Sequence, residues 1–130
     1  MNQYQSFPNV KGGSDSVRKL EALRLPDLSG LRVLDVGCNE GFFSGYALHQ
    51  GAASVIGIDK SKSAIERAKI RFPEGDFREQ SWEDLPEGSF DLILLLSAIH
   101  YADNQEALIH ELLSKLTADG VLVLEMGVVR

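Results

Sequence analysis

Short apolar runs alternate with stretches of helical periodicity along most of this chain, and that alternation restricts the fold more than any other feature. The runs are 32–36, 54–58, 76–80, 91–96 and 121–125. Strands separated by helices cannot pair as tight hairpins. They join through right-handed crossovers into a parallel sheet with helices on its faces. The run DLILLL at 91–96 is apolar at every position after the first, as a strand covered on both sides must be. Between the runs, a helix over Phe42 to His49 stops at Gly51, and Ser61 caps a second helix that reaches about Ile70 before Pro73-Glu74-Gly75 breaks it. Asn104 to Leu116 reads as a third helix, with Ala107, Leu108, Leu112 and Leu116 on its apolar face and an Asp119-Gly120 turn after it. Trp82 to Gly88 is too short for a long helix and reads as a bare crossover. Ahead of the first strand, Ser14 or Asp15 caps a helix through Val17, Leu20 and Leu23, ended by Pro26 and Gly30. Residues 1–13 read as an arm or lid, and residues 14–130 as one domain.

Composition narrows the class of partner. A net charge of −6 argues against a long polyanion such as nucleic acid. The lone Cys38 cannot form an internal disulfide and suits a reducing compartment. The N-terminus has no apolar signal core, and no apolar run approaches the roughly 20 residues that cross a bilayer. A cytoplasmic protein without a membrane partner is the expectation. His49, His100 and His110 have no ligand spacing with Cys38, so no metal is expected.

Ligands of open parallel sheets bind outside the carboxyl ends of the strands. Four segments fall there: Asp35–Gly41, Asp59, Ser81–Trp82 and Ser97–Tyr101. In LDVGCNEGFFS, Gly37 and Gly41 flank a turn between strand and helix. Glycine allows positive φ there and close approach of a ligand, and the amides opening the helix suit an anionic group. Asp59 lies past Gly41 by the distance that sets a carboxylate beside a ribose. It also precedes the second helix, where it would act as a cap, although Ser61 suffices for that task. A dinucleotide fingerprint requires a third small residue after Gly41, and the chain has Phe42-Phe43 instead. A pyrophosphate would lack its close approach to the helix; a single carboxylate needs less room. An NAD-dependent oxidoreductase is disfavoured on this ground.

The chain resembles the class I S-adenosylmethionine (SAM)-dependent methyltransferases over roughly residues 31–125. VLDVGCNEGFFS is similar to their first motif and VIGIDKSKSAIERA to their second. SWEDLPEGSFDLILLLSAIHY resembles the stretch through strand four, and LLSKLTADGVLVLE their last helix and strand five. The resemblance implies a three-layer α/β Rossmann-like open parallel sheet of order 3-2-1-4-5, without the usual last two strands. It implies SAM as cofactor and S-adenosylhomocysteine (SAH) as product. Asp35, Gly37 and Gly41, with Cys38 and Asn39 in the same turn, would surround the methionine portion. Asp59 would hold the ribose, Lys60 would lie beside the adenine, Ser81 and Trp82 would stand at the adenine-contacting pair, and Ser97 near the sulfonium. Asn39 stands where the commonest motif has glycine, and Ser81 replaces the usual aspartate, with Glu83 or Asp84 as substitutes. Without the last two strands, LVLEMGVV is expected as an exposed edge. The chain then reads as part of a larger protein, or as one that a partner, including a second copy, covers.

Methyl transfer is an in-line displacement, helped by holding the acceptor in place and by a general base. His100, one step past strand four, is the candidate base, or a cap. Tyr101 would hydrogen-bond the acceptor, or pack. The basic run Lys60, Lys62, Arg67, Lys69 and Arg71 reads as a solvated face. The expected acceptor is a small molecule or a sugar. The alternative is a non-catalytic binding module that pairs through its fifth strand.

Overall fold

A computed structural model describes residues 25–96 and 105–125. The elements run β1 (Arg32–Val36), α1 (Phe42–His49), β2 (Ser54–Asp59), α2 (Lys62–Arg71), β3 (Asp76–Glu79), β4 (Phe90–Leu96), α3 (Gln105–Ser114) and β5 (Leu116–Glu125). The sheet is parallel throughout, in the order β3-β2-β1-β4-β5. The Rossmann-like order expected from the resemblance is thus the order observed. The arm at 1–13 and the helix expected from Ser14 or Asp15 lie outside the described residues.

The alternation of side chains along each strand divides the core into two layers. On one face Val33, Val55, Leu92 and Leu94 pack with Phe42, Phe43 and Ala47 of α1. On the other, Leu34, Val36, Ile58, Ile93 and Leu95 pack with Leu108 and Leu112 of α3 and with Leu85 of the crossover. Each fully buried aliphatic side chain contributes about 1.5–3 kcal/mol. A third cluster, Cys38, Ile65, Ala68 and Phe77, seats α2 beside the first layer. Ser61 caps α2 as expected, its Oγ accepting from the Ala64 amide at 3.2 Å.

The C-terminal third departs from the expected boundaries. The helix ends at Ser114, and β5 begins already at Leu116. Phe90 pairs with Leu116 but Leu92 with Val121, so five residues of β5 run against two of β4. Asp119-Gly120 is therefore part of a bulge within the strand. Asp91 stabilises the bulge: its Oδ1 accepts from Thr117 Oγ1 at 3.0 Å, and its Oδ2 from the Arg32 amide at 2.8 Å. These bonds hold the Asp91 carboxyl below the usual carboxylate range, the Arg32 amide first and Thr117 second. Ala107 is exposed, and the buried positions of α3 are Leu108 and Leu112.

Among the described residues β5 pairs with β4 alone, and Val121 on it is exposed. No helix among the described residues is long and apolar enough to cross a membrane, and none of their His, Cys, Asp and Glu side chains group as a metal site.

Candidate functional site

The carboxyl ends of β1 and β2 are joined by one hydrogen-bonded turn. After Val36, the amides of Gly37 and Cys38 both donate to the Ile58 carbonyl, at 2.9 and 2.8 Å. Gly37, Asn39 and Gly41 have φ of 73°, 56° and 89°, all left-handed. Glycine adopts this conformation freely, and asparagine is among the few other residues that tolerate it. Gly41 meets a second constraint: a Cβ there would lie 3.1 Å from that of Ala68 and 3.3 Å from the rings of Phe72 and Phe77. The glycine thus serves the approach of the turn to α2 and β3, besides ending the turn as the residue before α1.

Asp59 receives the turn from the other side. Its Oδ2 accepts from the Asn39 amide at 2.9 Å and its Oδ1 from the Ser61 amide at 2.8 Å. Each carboxylate oxygen has room for a second donor, so the half-buried side chain is oriented and retains acceptor capacity for two hydroxyls. The two capping tasks near α2 are divided, with Asp59 holding the Ser61 amide and Ser61 capping the helix.

Asp35 is buried beneath α1, and its Oδ2 accepts from Ser44 Oγ at 2.7 Å. The Ser44 backbone also hydrogen-bonds to it. Burial pushes its carboxyl up to about 7, opposed by the Ser44 hydroxyl and assisted by the charge of Asp59. One amide of the first helical turn is therefore taken internally, where the sequence suggested that a ligand would meet those groups. Cys38 points inward: its side chain is fully buried near Gly57, and burial drives the thiol far above its ordinary range. Such a thiol is unreactive.

The far side of the rim is a shelf after β3. The Gln80 amide donates to the Asp59 carbonyl at 3.1 Å, which links the ends of β2 and β3. Ser81 Oγ accepts from the Glu83 amide at 3.0 Å and so closes its own turn, while Asp84 holds the Gln80 side-chain amide through its carbonyl at 2.9 Å. Lys60 Nζ stands over the Trp82 ring at 4.7 Å from its centroid, a cation–π contact. The Trp82 ring also packs against the α3-side core.

The fold thus gathers Asp35, Gly37, Cys38, Asn39, Gly41 and Asp59 in one bonded unit, with Lys60, Ser81 and Trp82 beside it. Ser97, His100 and Tyr101 lie outside the described residues. Sequence reasoning did not single out Ser44 or Glu40, both buried. A polar residue in an apolar helix start, as in FFS, was the available signal for Ser44. Nothing local marks Glu40.

Residues 34–124 match the family described as Methyltransferase domain. The chain belongs to this family. It is 32% identical over 109 residues to the trans-aconitate 2-methyltransferase of an Enterobacter species, covering 82% of this chain and 42% of that protein. It is 33% identical over 113 residues to the ubiquinone biosynthesis O-methyltransferase of a Bradyrhizobium species, covering 82% and 44%. The crystal structure of the S-adenosylmethionine dependent methyltransferase from Mesorhizobium loti aligns with a TM-score of 0.75 at 31% identity, over 86% of this chain and 53% of that one. The chain therefore spans less than half the length of these two relatives and about half of the solved one. Its fold is that of the SAM-dependent methyltransferases, and SAM is the cofactor of that family. The residues present fit the cofactor: Asp59 is oriented with acceptor capacity for both ribose hydroxyls, next to a turn whose left-handed residues bring the backbone to the rim.

Proposed function

We propose that this methyltransferase domain binds SAM at the rim of β1, β2 and β3 and transfers its methyl group to a small-molecule or sugar acceptor. The observation that carries the reading is Asp59, fixed by the Asn39 and Ser61 amides beside the left-handed turn. Bound there, SAM supplies an electrophilic methyl group on a sulfonium. In this reading Asp59 accepts the ribose hydroxyls. Asp35, Gly37, Cys38, Asn39 and Gly41 surround the methionine portion. Lys60, Ser81 and Trp82 border the adenine, Ser97 lies by the sulfonium, His100 takes the acceptor proton, and Tyr101 hydrogen-bonds the acceptor. In this reading residues 14–130 are the cofactor domain and 1–13 its arm or lid. A small acceptor is supported by the relatives named for trans-aconitate and for ubiquinone biosynthesis, and by the net charge of −6. The buried thiol of Cys38 and the absence of a second cysteine accord with the cytoplasm. Val121 favours one other reading: exposed on a strand that pairs on one side among the described residues, it suits a module that self-associates through β5.

Calorimetric titration with SAH, on the chain and on Asp59→Ala, tests the proposal. Trp82 is the sole tryptophan and gives a second, fluorescent readout. Micromolar binding that the variant loses is the expected result. A folded chain that ignores SAH, or an Asp59→Ala variant that binds as the parent does, refutes it.

A further inference from the structure

Among the described residues, Glu40 is a buried carboxylate that the reading above leaves without a task. Its side chain is 2% exposed, its Oε2 has no hydrogen bond, and Arg67 Nη1 lies 3.8 Å away. A carboxylate withdrawn from water with one loose ion pair is a poor source of stability; an apolar side chain of similar volume often serves as well or better. The position of Glu40 supplies a different reason. It sits between Asn39 and Gly41, both left-handed, at the point where the turn meets α1. The N-terminal end of a helix favours a negative charge, and α1 has no acidic residue in its first turn and no side-chain cap.

Arg67 belongs to α2, one residue before Ala68, whose Cβ sets the closest approach at Gly41. The same helix starts at the Ser61 amide that Asp59 holds. The turn is thus tied to α2 at both ends of a short circuit: Glu40 to Arg67, and Asn39 through Asp59 to Ser61. Loosening the first tie weakens the hold on the Asn39 backbone, which stands at a φ of 56°.

We propose that Glu40 is a positioning residue: the ion pair of its buried carboxylate with the partly exposed Arg67 holds the Asn39–Gly41 turn so that the Asn39 amide orients Asp59 for the cofactor ribose. The ribose part of this inference rests on the SAM reading above. Glu40→Gln keeps the volume and removes the charge, and Arg67→Met removes the partner. Two quantities are read on each: exchange of the Asn39 amide with deuterium by NMR, and the Kd for SAH by calorimetry. Both variants are expected to exchange Asn39 about tenfold faster and to bind SAH about tenfold more weakly, a coupling typical of directly linked residues. A folded variant with parental Asn39 exchange or parental Kd overturns the proposal, even if its urea midpoint falls. If Glu40→Gln does not fold, Arg67→Met decides by the same two quantities, and failure of both to fold assigns the pair to stability and also overturns it. A parental chain that does not bind SAH refutes the cofactor reading instead, and the Asn39 exchange still judges the turn.

Discussion

Asp35 gives a stability prediction with a sign opposite to that of most carboxylates. Its pKa rises from 3.8 to about 7 on folding, because burial removes the carboxylate from water by more than the Ser44 hydroxyl restores. Below pH 3.8 both folded and unfolded chains hold the proton. Between there and about 7 the folded chain keeps a proton that the unfolded chain releases, so stability falls as pH rises. The favourable contribution is complete below the unfolded value and gone once pH has passed the folded one. About three units at about 1.4 kcal/mol each give a total of about 4 kcal/mol. Asp35→Asn keeps the shape and an oxygen for Ser44 but does not titrate. Urea unfolding of both proteins without ligand, in steps from about pH 4 to about pH 8, yields the difference in stability at each pH. Carboxylates common to both cancel in that difference. The parent should lose stability relative to the variant by about 4 kcal/mol across the range, most of it before neutrality. A flat difference, or one that rises with pH, refutes the reasoning.

Two further tests address packing and the opposite rim of the sheet. A Cβ at Gly57 would lie 2.8 Å from Phe77 Cδ1 and 3.0 Å from Cys38 Sγ, and both side chains are buried. Gly57→Ala should therefore cost about 1–3 kcal/mol in urea unfolding. Adding Phe77→Leu should recover part of it, and no recovery would mean that the overlap is not the cause. Asp91, with its carboxyl held low by the Arg32 amide and Thr117, contributes stability above its unfolded value of 3.8 that is lost as pH falls through the folded value. Thermal melts from about pH 5 to about pH 2 should show a shallower acid limb in Asp91→Asn than in the parent; equal limbs would contradict the assigned hydrogen bonds.

Much of the fold was legible because strand patterning is local. Arg32–Val36 and Phe42–His49 carry their apolar periods and their stop signals within a few residues, and both elements have the expected bounds. The same holds for the Ser61 cap. Asp119-Gly120 shows the limit of this reasoning. Alone, the pair reads as a turn, and only the pairing of Leu116 with Phe90 and of Val121 with Leu92 makes it part of a bulge inside β5. Ala107 falls on the apolar period of α3 but is exposed, since which part of an apolar face is covered depends on the neighbours that the helix meets and not on its own sequence alone.

By itself, then, the sequence determined the alternation of strands and helices, the parallel sheet that follows from it, and the positions of a turn and an aspartate at the strand ends. Those depend on hydrophobic period and on the conformational freedom of glycine, which act over a few residues. Tertiary structure alone decided that Asp35 loses its water to α1, that Cys38 faces the core, and that Glu40 meets Arg67. Burial and ion pairing are set by neighbours distant in the chain, and the electrostatic cost of each charge is known only when those neighbours are in place.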